Sequence, residues 1–125
     1  MCEILMALHV LELIEQSLQE TLKRSERIAD ADDFLVSETG VILLDSICMK
    51  LSAIGESVKN LDKITEHKLL SGYPENPWKD VMGIRDFIVH HYFEVDADVI
   101  FNICKKDIPV LIPVIQRIIE DLRNG

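Results

Sequence analysis

Leu44, Ile47, Leu51, Ile54, Val58 and Leu61 recur at alternating steps of three and four, the period of one apolar helix face. Ile4, Leu8, Leu11, Ile14, Leu18 and Leu22 obey the same rule earlier in the chain. Glu12, Gln16, Gln19, Glu20 and Lys23 take the opposite side, so an amphipathic helix is expected to about Arg27. The acidic stretch Asp30–Asp33 reads as a turn and the N-cap of the second helix. Gly55 inside that helix costs about 1 kcal/mol of propensity, which points to a close contact there. Residues 62–76 form the longest connection, because Gly72, Pro74 and Pro77 forbid one continuous helix. Asn76-Pro77 then gives an N-cap followed by proline at the first helical position, opening a third helix from Pro77 to about His91. Asp96 and Asp107-Ile108-Pro109 open two more, the last striped by Val110, Leu111, Val114, Ile115, Ile118, Ile119 and Leu122. Helices striped on one side and joined by short turns pack as an all-α, antiparallel up-and-down bundle of four or five helices. One domain covering residues 1–125 is expected, with no internal repeat.

Composition narrows the function classes. Hydrophobic content is 48% but aromatic content only 6%, so the core must be aliphatic. A net charge of −9 and a pI near 4.8 argue against broad nucleic-acid binding, and no DNA partner is expected. A small basic site acting on RNA remains compatible with that balance. No apolar run reaches the roughly 18–20 residues of a membrane span, and the N-terminus lacks the pattern of a signal peptide. Cys2, Cys48 and Cys104 are odd in number, far apart and without metal-ligand spacing, which suits reduced thiols in a cytoplasmic protein.

The segment Arg85-Asp86-Phe87-Ile88-Val89-His90-His91-Tyr92 holds the candidate chemistry. An arginine stays charged in any environment, and an imidazole exchanges a proton near neutrality. Such groups gather where an anion is held while a proton moves. At about 100° per residue, Arg85 and Tyr92 share a face bordered by Trp78, Val81, Met82, Ile88 and Val89. Arg85 is therefore expected on an apolar stripe rather than a solvated one. His90 falls about 140° away, so the two do not converge within one ideal helix. A second copy of the chain across a two-fold axis beside this helix would bring partners together. Blander roles exist for each: Arg85 could pair with Glu56 or Asp86, and His90 could cap a helix C-terminus. His9 and His67 are expected to be solvated and receive no role. Adjacent His90 and His91 diverge on a helix, no carboxylate–His pair completes a ligand set, and no metal site or cofactor is expected.

Arg85, four residues, His90, one residue and Tyr92 resemble the signature of the HEPN superfamily, and more narrowly of HepT-type toxins encoded beside minimal nucleotidyltransferase antitoxins. Ile54-Gly55-Glu56, Pro77-Trp78-Lys79-Asp80-Val81, Gly83-Ile84-Arg85-Asp86 and Tyr92-Phe93-Glu94-Val95-Asp96 extend the match over most of the chain. Ile84 departs from it, standing where methionine is common. The resemblance implies a HEPN-like, homodimeric, metal-independent endoribonuclease toxin of a type VII-like pair, with the cleft between protomers as active site and tRNA as a possible target. Arg85, His90 and Asp86 then carry catalysis, supported by Glu56 and His91. His90 rather than His91 is taken as the acting imidazole because it keeps the spacing to Tyr92. Tyr92 corresponds to the residue that the antitoxin adenylylates, closing the cleft by bulk and negative charge. Two rivals stay open: a non-catalytic nucleotide- or substrate-binding subunit for the nucleotidyltransferase, and a structural dimerisation bundle with an Arg85–Glu56 pair.

Overall fold

The computed structural model describes residues 2–91 and 94–125. Tyr92, the expected modification site, lies outside them, together with Met1 and Phe93. Helices α1 (Cys2–Ser25), α2 (Glu38–Ile64), α3 (Trp78–His90), α4 (Ala97–Asn102) and α5 (Ile108–Asn124) follow in order, and the described residues contain no strand. The expected all-α bundle is what the chain forms.

Cross-links between helices fix their directions. Lys50 bonds Glu20 and Arg24 bonds Ser46, so α1 and α2 run antiparallel. Arg123 bonds Glu12 while Lys105, just before α5, donates to the carbonyl of Ser25, so α5 also opposes α1. The second contact satisfies one of the orphan carbonyls at the end of α1. Leu11, Ile14 and Leu18 from α1, Ile47, Val58 and Leu61 from α2, and Ile108, Ile115 and Ile118 from α5 form a fully buried aliphatic core. Among the described residues Phe34 is the one wholly buried aromatic ring in it. Buried Cys48 and Cys104 fill core space, and burial pushes both thiols up to about 11.

Several boundaries differ from the sequence reading, each for a local reason. Asp30 does not cap α2. Its carboxylate accepts from the Asp33 amide, and Asp33 reciprocates with the Ala29 and Asp30 amides, closing a separate 3-10 turn at Ala31–Phe34. Ser37 caps α2 instead, accepting from the Gly40 amide. At the next junction Pro77 takes the N-cap position expected of Asn76, whose side chain donates to the Tyr73 carbonyl. Asp96 caps α4 as expected, accepting from the Asp98 and Val99 amides. Asp107 makes no side-chain cap, because α4 and α5 are joined through a π-turn at Ile103–Asp107 rather than separated. Pro109 lacks the amide that an α-helix would bond to the Lys105 carbonyl, which favours a locally widened helix.

Helix α3 is attached chiefly through α2. Gly55 makes that seam possible: a methyl group there would lie 2.6 Å from Ile84 Cγ2 and 2.9 Å from the Val81 carbonyl oxygen. The close contact inferred from the sequence is therefore the α2–α3 crossing. On the side toward α5, α3 leaves a cleft of about 360 Å³ lined by Ile54, Val81, Ile84, Ile108 and Leu111. Among the described residues no helix is long and apolar enough to cross a membrane.

Candidate functional site

The Gly55 crossing sets the height at which α3 presents Arg85. Arg85 Nε stands 4.0 Å from Glu56 Oε1 on α2, and Nη1 stands 3.8 Å from Asp86 Oδ1. Both separations exceed hydrogen-bond length, so among the described residues the guanidinium is electrostatically flanked without its donors being consumed. Its side chain is 49% exposed. The expectation of an Arg85 sheltered on an apolar stripe therefore fails for the isolated protomer. Trp78 and Ile88 are buried and Val81 and Met82 partly so, while Arg85 itself stays exposed. An exposed pair at such distances is worth about 0–1 kcal/mol in stability.

His90 Nδ1 lies 2.7 Å from the Asp86 carbonyl oxygen, one turn earlier. When that nitrogen carries the proton and donates, Nε2 is left as the free, outward basic nitrogen. Asp86 thus serves both partners, its carboxylate facing Arg85 and its carbonyl orienting His90. His91 repeats the pattern on Phe87, with Nδ1 2.8 Å from the Phe87 carbonyl oxygen and ring centroids 4.7 Å apart. His91 is thereby laid against a neighbouring ring, whereas among the described residues the backbone bond alone holds His90. No hydrogen bond or ion pair joins Arg85 to His90 among the described residues, in keeping with their divergence on the helical wheel. No three His, Cys, Asp or Glu side chains among the described residues gather to hold a metal ion.

A model of the family described as ribonuclease HepT-like matches residues 11–118. The chain belongs to the HepT-like ribonuclease family. That match includes Glu56, Arg85, Asp86, His90, His91 and Tyr92. The chain is 35% identical over 114 residues to a Methanocaldococcus jannaschii protein named "Gamma-glutamylcyclotransferase and putative RNase MJ0434", covering 91% of this chain but 46% of that protein. It is 32% identical over 109 residues to "Putative RNase TTE0752" of Caldanaerobacter subterraneus subsp. tengcongensis, covering 86% and 91%. It is also 35% identical over 96 residues to "Probable ribonuclease HepT" of Thermococcus cleftensis, covering 69% and 84%. No solved structure matches it significantly.

In this HepT-like chain a polar latch also holds the loop before α3, and no sequence pattern announces it. Tyr73 donates to Asp121 Oδ2 at 2.5 Å, 48 residues away on α5, and Arg117 lies 5.1 Å from the Tyr73 ring centre while bonding Glu75 at 2.7 Å. The Trp78 indole donates to the Tyr73 carbonyl, so the latch reaches the first residue of α3. Partial burial and the Asp121 bond push the Tyr73 phenol up to about 12. Because that value lies above the ordinary phenol near 10, the latch stabilises the fold below pH 10 and weakens as pH rises through about 12. Titration by ultraviolet absorbance should show a late tyrosine step that Tyr73→Phe removes. A wild-type titration with no step above the ordinary phenol range, whose amplitude Tyr73→Phe lowers without changing its shape, would show the bond to be absent in solution.

Proposed function

We propose that this HepT-like chain is a metal-independent endoribonuclease working as a cytoplasmic homodimer, with RNA, tRNA in particular, as substrate. The observation carrying this reading is the pairing on α3 of a guanidinium with unspent donors and an imidazole locked at Nδ1 but free at Nε2. Dimerisation supplies the convergence that one protomer lacks. Ile42 and Met49 on α2 and Val89 on α3 are large apolar side chains 60%, 77% and 54% exposed, the first two preceding Glu56 by fourteen and seven residues on the same helix face, and a second copy would cover them.

The chemistry follows from the groups. One His90 takes the proton from a ribose 2′-hydroxyl, and the resulting oxygen attacks the adjacent phosphorus. The bond from phosphorus to the 5′-oxygen breaks, and the partner's His90, protonated, delivers a proton to that leaving oxygen. The products are a 2′,3′-cyclic phosphate and a 5′-hydroxyl. Arg85 clamps the non-bridging oxygens, whose charge grows in the transition state. Asp86 and Glu56 aim the guanidinium without neutralising its hydrogen-bonding capacity.

The same reading makes the protein the toxin of a type VII-like toxin–antitoxin pair. A minimal nucleotidyltransferase silences it: the Tyr92 oxygen attacks the α-phosphorus of ATP, pyrophosphate leaves and the phenolic proton is lost. The experiment is cleavage of purified tRNA in EDTA, with and without prior incubation with a minimal nucleotidyltransferase, ATP and Mg²⁺. Cleavage leaving cyclic-phosphate ends, abolished by 2′-O-methylation at the cut and by AMP transfer that Tyr92→Phe escapes, is the expected result. Binding of RNA or nucleotide without any cleavage would replace the enzyme by a binding subunit of the nucleotidyltransferase.

A further inference from the structure

Gly83 has no packing reason to be glycine in the protomer. A methyl group at Gly55 would strike α3, but one at Gly83 meets nothing within 4 Å. Glycine is the costliest residue in a helix interior after proline, and here the fold gains no close approach in return. Its companions on α3 are informative. Lys79, Gly83, Asp86 and His90 succeed one another at steps of four, three and four, a single stripe roughly 16 Å long. Lys79, Asp86 and His90 are all exposed.

The chain is acidic, with 22 Asp and Glu against 13 Lys and Arg. Arg24, Lys50, Lys68, Arg117 and Arg123 each have a carboxylate within 4.0 Å. Lys79 has none among the described residues, as is also true of Lys23, Arg27, Lys59, Lys63, Lys105 and Lys106; what sets Lys79 apart is its place in line with His90. An unspent cation, a bare stretch of helix backbone, a carboxylate and the candidate proton-transfer group therefore lie in line.

We propose that this stripe seats the RNA strand on one side of the scissile phosphate. Lys79 holds a backbone phosphate, Gly83 lets a ribose lie against the helix backbone, and Asp86 accepts a hydrogen bond from a sugar hydroxyl or base amino group. This rests on the ribonuclease reading and adds the direction in which substrate leaves His90. A second protomer is the less suitable occupant, because the stripe offers no apolar side chain. The apolar surface lies on the other outward edge of α3, where Val89 neighbours Arg85, and on α2 at Ile42 and Met49.

The test measures binding of a fluorescent oligoribonucleotide by anisotropy, separately from cleavage, for wild type, Lys79→Ala, Gly83→Ala and the control Lys106→Ala, a lysine exposed on the π-turn. Lys79→Ala should weaken binding about tenfold and lower the salt dependence by roughly one phosphate contact, with Lys106→Ala close to wild type. Gly83→Ala should raise Tm by a few degrees, since alanine favours the helix, and still weaken binding about tenfold. Binding that persists without cleavage would sink the catalytic reading and leave the stripe standing. Wild-type binding in both variants, or none by the wild type, would overturn the stripe. A Gly83→Ala protein that becomes monomeric by sedimentation would assign this face to a second copy instead.

Discussion

Replacing His90 by alanine should slow RNA cleavage about 10²–10⁴-fold while leaving the fold intact, the range typical of losing a positioned proton-transfer group. The structure separates these two effects cleanly. His90 is exposed, and the bond recorded for its side chain is the one from Nδ1 to the Asp86 carbonyl within the same helix. Removing it leaves no cavity and no buried polar group unpaired, so stability should stay within about 0.5 kcal/mol of wild type. Arg85→Ala should behave alike in denaturant, its flanking carboxylates standing 3.8 and 4.0 Å away, and should also abolish measurable turnover. His91→Ala is the informative contrast. His91 rests on the Phe87 ring, so its loss should cost a little stability and little rate. Single-turnover cleavage alongside urea denaturation would check all three. A His91→Ala protein that is inactive, beside an active His90→Ala, would exchange the two assignments.

How far these roles could be read from the chain depends on the kind of signal each residue carries. The stripe from Leu44 to Leu61 is periodic, and every one of those residues is buried on α2. Asp96 was legible as a cap because an N-cap is a local contact, made with amides two and three residues on. Asp30 and Asn76 carried the same signal and misled. Asp30 found a nearer reciprocal partner in Asp33, and Asn76 found the Tyr73 carbonyl. The merging of α4 and α5 was hidden by Pro109, whose usual message is a helix start and which a π-turn here absorbs. The wheel groups Arg85 with Trp78 and Ile88, but it does not say which residues of a stripe the fold covers. Trp78 and Ile88 are covered, and the arginine is left at the surface of the protomer. The Tyr73–Asp121 latch joins residues 48 apart with no periodic relation, so only the folded chain discloses it.

Gly55→Val should damage stability and activity together, although Gly55 reaches no substrate. The added side chain begins at a Cβ position 2.6 Å from Ile84 Cγ2 and 2.9 Å from the Val81 carbonyl oxygen. Ile84 can rotate, but the carbonyl belongs to the α3 backbone and can yield only if the helix shifts. Overpacking of this kind costs about 1–3 kcal/mol, more than the few tenths by which valine betters glycine in a helix interior. The shift also has a fixed address, because the same Cβ position lies 3.6 Å from the Arg85 amide nitrogen. Any movement of α3 off α2 carries Arg85 away from Glu56 and displaces the guanidinium from the phosphate it would clamp. A displacement on the order of 1 Å can cost about 10²-fold in rate. Chemical denaturation should therefore show a lower midpoint, and kcat/KM should fall by more than the folded fraction explains. Full activity in a destabilised but folded Gly55→Val protein would show that the α2–α3 spacing does not govern Arg85, and the seam would then be a matter of stability alone.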